Sequence, residues 1–152
     1  LGFDSVDPAW DACERHGKGV FVLALTSNKG APELQHARTQ EGPSVAAAVA
    51  SYAAARNKGA SPIGSFGLVV GATVGEGAVA AGVDLPGVHG PILAPGVGAQ
   101  GATLREVEMV FRDVAPFVLI SQSRSILREG PDVDKLGDAI DVASVETRAL
   151  RQ

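Results

Sequence analysis

Four uninterrupted apolar runs dominate the chain, at 19–26, 66–71, 91–95 and 117–121, and each runs directly into a polar or glycine-rich segment. The first is Gly19-Val-Phe-Val-Leu-Ala-Leu-Thr26 and the last begins Phe117-Val-Leu-Ile120. Runs of this length that lack polar alternation read as strands buried on both faces. Helical segments separate them. Ser44 to Asn57 is alanine-rich, with Pro43 before it and Gly59 after it; Ala102 to Arg112 follows the third run. Asp132 caps a last helix to about Leu150, with Leu136, Ile140 and Ala143 on one face. A helix also opens the chain, with Asp7 as its cap, Pro8 in its first turn, Trp10 and Cys13 on one face, and Gly17 and Gly19 ending it. The order is therefore a helix and then four strand–helix units, which predicts a parallel sheet with right-handed crossovers.

Two architectures fit that order, a doubly wound sheet and a (β/α)8 barrel. Four strands cannot close a barrel by themselves. A chain that starts at Leu1, not Met, and opens on a helix is expected to lack the strand that fed that helix. Both points lead to the expectation of a missing first half.

Composition narrows the function classes. Of 152 residues, 45 % are hydrophobic and 20 % charged, as in an ordinary globular domain. A net charge of −4 leaves no basic surplus for nucleic acid or an anionic membrane surface. No apolar run reaches the ~20 residues of a membrane helix, and no signal peptide is visible. The single cysteine, Cys13, excludes an internal disulfide and a cysteine-based metal cluster, in keeping with a cytoplasmic location. His16, His36 and His89 lack metal-ligand spacing and read as solvated loop or helix-end residues, so no metal is expected.

The chemistry-bearing segments all follow strands, and none precedes one. In a barrel that is the active-site face, and phosphate is often held by the loops after the seventh and eighth strands. Here the last two strand-end loops are Pro95–Gly101 and Ser121–Ser125. The first offers glycines that let backbone N–H groups approach an anion, and the second offers Arg124, a planar donor suited to phosphate oxygens. Taken singly, each feature has a plainer reading: a tight turn for the glycine-rich loop, a surface arginine for Arg124, a turn or cap for Ser27. Glu106 and Glu108 read as a solvated helix face, and Asp132, Asp134 and Lys135 as a helix start.

Read together, the segments resemble a known family. Thr26-Ser-Asn-Lys-Gly30 with Leu34-Gln35, Val69-Val-Gly-Ala-Thr73, Ala94-Pro-Gly-Val-Gly-Ala-Gln-Gly101 and Ser123-Arg-Ser-Ile126 occur in that order. They look like the motifs of orotidine 5′-monophosphate decarboxylase in its longer bacterial subgroup, and Leu1-Gly-Phe-Asp4 resembles part of that subgroup's Pro-Tyr-Leu-Gly segment. The resemblance covers the chain from end to end, and its most specific part is Pro-Gly-Val-Gly-Ala-Gln-Gly. It implies an α/β fold, with residues 1–152 forming the C-terminal half (strands 5–8 and their helices) of a single (β/α)8 TIM barrel domain. It implies a cytoplasmic homodimer that converts orotidine 5′-monophosphate (OMP) to UMP in pyrimidine biosynthesis without metal or cofactor. By position, Ser27 would meet the pyrimidine, Pro95 would line its pocket, and Gln100 would bridge from phosphate towards Ser27. Ser123 and Arg124 would hold the phosphate, with the backbone of Gly98, Ala99 and Gly101 in the phosphate loop.

The sequence also departs from the family. The family's interleaved Asp/Lys array, in which a carboxylate stresses the substrate's carboxylate and a lysine protonates the carbanion, has no counterpart among Lys18, Lys29, Lys58 and Lys135. No catalytic residue is therefore assigned in this chain. The array is expected upstream of Leu1, the missing N-terminal half is the expected partner, and the isolated chain is expected to be inactive. Gly75 and Gly77 also stand where the subgroup tends to have proline and glutamate. Two other readings stay open: another phosphate-binding barrel acting on a sugar phosphate, and a non-catalytic phosphate-binding module.

Overall fold

In the computed structural model, which describes residues 3–74, 77–97 and 103–149, the four apolar runs become β1 (Val20–Leu25), β2 (Phe66–Val70), β3 (Ile92–Pro95) and β4 (Val118–Ser121). They form one sheet in the order β1-β2-β3-β4, and every neighbouring pair is parallel. The helices are α1 (Asp7–Arg15), α2 (Ala31–Gln35), α3 (Val45–Asn57), α4 (Gly77–Ala80), α5 (Leu85–Val88), α6 (Leu104–Phe111), α7 (Arg124–Leu127) and α8 (Val133–Ala149). The predicted strand–helix alternation is thus present. Consecutive parallel strands in spatial sequence are what half of a barrel wall requires.

One face of the sheet carries the core. Phe66, Leu68, Val70, Ile92, Ala94 and Val118 are buried there beneath helices. The alanines of α3 explain its fit, since Ala46, Ala50 and Ala53 present only methyl groups to β1 and β2 and let the helix lie close. Ser44 caps α3 by accepting from the Ala47 N–H, and its hydroxyl donates to the Ala81 carbonyl. Trp10 of α1 stacks on Phe66 at 4.5 Å between ring centroids, with Tyr52 edge-on at 5.1 Å. Arg56 closes this corner, pairing with Asp7 and Asp11 at 2.7 Å each and with Glu14 at 3.4 Å.

The opposite face is open. Register places Leu23, Val69, Leu93 and Leu119 in one row across all four strands. Leu23 is 59 % and Leu119 43 % exposed. In a closed barrel such a row would be one side of a packed interior layer. In the neighbouring row of the same face, where Gly67 pairs with Phe21, there is no spare room. A Cβ on Gly67 would stand 2.2 Å from the Pro91 carbonyl oxygen and 2.7 Å from the Phe21 ring.

Two local expectations are corrected. Asp7 does not cap α1: Val6 occupies that position, and the Asp7 carboxylate accepts from Tyr52 and Arg56 instead. Glu106 is not merely a solvated side chain. It reaches back to the Thr103 N–H at 2.7 Å while Thr103 accepts from the Glu106 N–H, a capping box that starts α6 two residues later than expected. The bond from the Thr103 N–H, and then one from the Thr103 hydroxyl to the same carboxylate oxygen at 2.9 Å, hold the Glu106 carboxyl below the usual carboxylate range. Along the predicted apolar side of α8, Leu136 and Ala143 are half-buried and Ile140 is 52 % exposed.

Candidate functional site

All four strands run the same way, so their C-terminal ends lie along one rim, and backbone bonds tie the loops together there. The Gly71 N–H donates to the Leu25 carbonyl at 2.9 Å, and the Ala72 N–H donates to the Pro95 carbonyl at 2.8 Å. Pro95 and Ser121 are register partners at the end of the β3–β4 ladder. The glycine-rich segment and the Ser123-Arg124 segment therefore leave the sheet side by side. By strand alternation Pro95 and Ser121 share the face of Leu93 and Leu119, so they stand at the top of the open face.

The first strand-end loop is held by a side-chain clamp. The Thr26 N–H donates to Gln35 Oε1 at 2.9 Å, and Gln35 Nε2 donates to Thr26 Oγ1, also at 2.9 Å. Thr26 Oγ1 in turn donates to Asn28 Oδ1, and the Asn28 carbonyl accepts from the Ala31 N–H at 2.9 Å. Ser27, between the two tied residues, is exposed, and its hydroxyl has no partner among the described residues. Gly71 lies beneath it: a Cβ there would stand 3.7 Å from the Ser27 nitrogen.

On the far side of the rim, Ser123 precedes α7 without using its side chain as a cap. Arg124 is the first residue of α7. It is exposed and makes no ion pair among the described residues, with Asp132 or any other acid. Asp132 Oδ1 accepts from the Asp134 and Lys135 N–H groups, as expected of a helix start. Gly98, Ala99, Gln100 and Gly101 lie outside the described residues. Of the segment before them, Gly96 takes a positive φ of 103°, the left-handed turn that glycine allows, and Val97 is buried.

A cleft of about 620 Å³ opens beside this rim, lined by Val97, Thr103, Gln122, Ser125 and residues of α8. Among the described residues its charged lining is Lys135 against Glu129, Asp138 and Glu146, three carboxylates to one ammonium. That balance disfavours an anion, so the anion-holding candidate is the Arg124 side of the loop and not this cleft. The three histidines sit at the C-terminal ends of α1, α2 and α5. No helix among the described residues is long and apolar enough to cross a membrane.

Residue-by-residue reading of the sequence missed Gln35 as a clamp and Asn57, which is buried at the end of α3 with its carboxamide bonded to the Phe66 and Val88 backbone. Gln35 was visible only as part of a motif, with no role attached. A glutamine following a strand-end threonine by nine positions carries no signal until a short helix folds it back.

Comparison with known proteins fits this geometry. Residues 1–139 match the Orotidine 5′-phosphate decarboxylase / HUMPS family. The chain belongs to that family. It is 48 % identical over 148 residues to the orotidine 5′-phosphate decarboxylase of Streptomyces coelicolor, covering 97 % of this chain and 52 % of the relative. It is 47 % identical over 149 residues to that of Salinispora arenicola, covering 98 % and 52 %. A provisionally named orotidine 5′-phosphate decarboxylase from Streptomyces avermitilis superposes with a TM-score of 0.90 at 45 % identity, over 99 % of this chain and 52 % of that one. The OMP decarboxylase of Leishmania donovani gives a TM-score of 0.66 at 29 % identity, over 99 % and 53 %. The chain thus spans about half the length of these relatives, and the family barrel supplies the frame for its four-stranded sheet.

Proposed function

We propose that this chain is the pyrimidine- and phosphate-binding half of an orotidine 5′-phosphate decarboxylase, acting in UMP synthesis. Residues 1–152 are read as part of one barrel domain. A second half, carrying the Asp/Lys array, completes the wall and covers the open face. In the reaction, the bond from pyrimidine C6 to the carboxylate breaks, CO2 leaves, and the electron pair stays on C6. A lysine of the other half supplies the proton that makes UMP. None of the lysines here stands in such an array, so the 152-residue chain alone has no positioned acid for this step.

The residues of this chain bind and orient. Ser27 meets the pyrimidine, and Pro95 lines its pocket. Ser123 and Arg124 hold the phosphate together with the backbone of Gly98, Ala99 and Gly101, and Gln100 bridges from phosphate to Ser27. Phosphate is remote from the reacting carbon. Its binding energy raises the rate only if loop closure uses it to organise the site. Family membership is also the ground for placing the full-length protein in the cytoplasm as a homodimer that uses no metal or cofactor. A sugar-phosphate enzyme of the same architecture is less favoured, because the relatives at 47–48 % identity are named decarboxylases.

The observation that carries this reading is the Pro95–Ser121 pairing, from which the two segments proposed to hold phosphate leave the sheet side by side. Its test is the full-length protein with Arg124→Ala. A charged hydrogen bond of roughly 1.5–3 kcal/mol is lost, so UMP affinity should fall about ten- to a hundredfold while uridine affinity holds. Equal loss for nucleotide and nucleoside contradicts the phosphate assignment.

A further inference from the structure

We infer that Gln35 is a positioning residue for the pyrimidine-contacting serine; this rests on the decarboxylase reading above. Ser27 has no hydrogen bond of its own among the described residues, so its place depends on its neighbours. Both neighbours are tied through Gln35. The carboxamide grips Thr26 from two sides, Oε1 on the backbone N–H and Nε2 on the hydroxyl, each at 2.9 Å. This fixes both the backbone and the side-chain rotamer of Thr26.

The direction of the hydrogen bonds gives the clamp a further reach. A hydroxyl that accepts from Gln35 keeps its proton free to donate, and Thr26 donates it to Asn28 Oδ1. An amide at position 35 therefore orients the hydroxyl towards Asn28, and the residue on each side of Ser27 is held by one chain of donors. The anchor is itself fixed: Gln35 ends α2, whose Ala31 is buried and which packs on β1 and α3. Beneath the loop, the Gly71–Leu25 backbone bond closes the remaining side.

Nothing in this clamp touches the Pro95 or Arg124 side of the rim. Gln35 should therefore act on pyrimidine alignment and leave phosphate recognition alone. A displacement of a substrate-contacting group by about 1 Å can cost on the order of a hundredfold in rate.

The test uses the full-length protein with Gln35→Met, which keeps length and flexibility but loses both polar contacts, and Gln35→Glu. The measurements are kcat and KM for OMP and inhibition by ribose 5-phosphate, which engages the phosphate loops alone. For Gln35→Met, kcat should fall about ten- to a hundredfold with ribose 5-phosphate inhibition unchanged. Gln35→Glu still accepts from the Thr26 N–H, but its carboxylate takes the Thr26 proton from Asn28, so kcat should recover only in part. Unchanged kcat in Gln35→Met overturns the inference, as does a parallel loss of ribose 5-phosphate inhibition. If Gln35→Met does not fold, Thr26→Val decides. It removes the hydroxyl link and keeps the N–H link, so a severalfold drop in kcat supports the clamp and an unchanged kcat overturns it. A wild-type protein that releases no CO2 from OMP overturns the decarboxylase reading and this one with it; an active wild type with an active Gln35→Met overturns this one alone.

Discussion

Asn57 pairs with the backbone of Phe66 as a strand edge would: its Oδ1 accepts from the Phe66 N–H at 3.0 Å, and its Nδ2 donates to the Phe66 carbonyl at 2.7 Å. The same Nδ2 also donates to the Val88 carbonyl at 2.8 Å. One side chain at the end of α3 thus satisfies three backbone groups, at the start of β2 and just before β3, on the end of the sheet opposite the functional rim. With Asn57 only 2 % exposed, water cannot substitute.

Asn57→Leu should therefore destabilise the full-length protein by about 3 kcal/mol or more, since each stranded buried polar group costs about 1–3 kcal/mol. The variant should show a lower midpoint in denaturant and an unchanged KM in the surviving folded fraction. A loss of less than about 1 kcal/mol would contradict this role of Asn57.

The corner formed by Asp7, Tyr52 and Arg56 sets a pH dependence. The hydrogen bond from Tyr52, and then that from Arg56, hold the Asp7 carboxyl below its ordinary value of 3.8. A depressed folded-state pKa contributes stability that is present above the unfolded value and lost as pH falls through the folded one. The Tyr52 hydroxyl is raised above 10.0, first by its bond to Asp7, so its contribution is present below the unfolded value and lost as pH rises through the folded one. Asp7→Asn should flatten the thermal-midpoint profile below pH 4 relative to wild type. Parallel profiles for the two proteins there would show that the corner does not contribute.

The open sheet face predicts opposite outcomes in two settings. In the 152-residue chain, Leu23 is 59 % exposed, so Leu23→Lys should reduce self-association seen by light scattering. In the full-length protein the same position is proposed to lie inside the barrel. There Leu23→Lys should cost several kcal/mol, because a buried unpaired charge is strongly disfavoured. A neutral effect in the full-length protein would mean that the second half does not cover this row.

The sheet was legible in the sequence because buried parallel strands announce themselves as unbroken apolar runs. All four runs became strands within one or two residues of expectation, and in parallel order. Motif order likewise pointed to the family, since Pro95–Gly101 and Ser123–Ile126 keep their character without knowledge of contacts. What stayed hidden depends on partners far apart in sequence. Asp7 looked like a cap because an acid before Pro8 usually is one; Tyr52 and Arg56, forty-five and forty-nine positions on, claim it instead. Asn57 and Gln35 are ordinary amides until the fold sets backbone groups against them. The exposure of Ile140 was equally out of reach, because helical periodicity reveals an apolar face and not what packs on it.

The central claim is that this chain is the substrate-holding half of a decarboxylase whose proton donor lies in the other half. Release of CO2 from carboxyl-labelled OMP tests it most directly, with the full-length protein and the purified 152-residue chain assayed side by side. The account predicts turnover to UMP by the full-length protein and none by the chain alone. No release from the full-length protein, or measurable turnover by the separated chain, would contradict it.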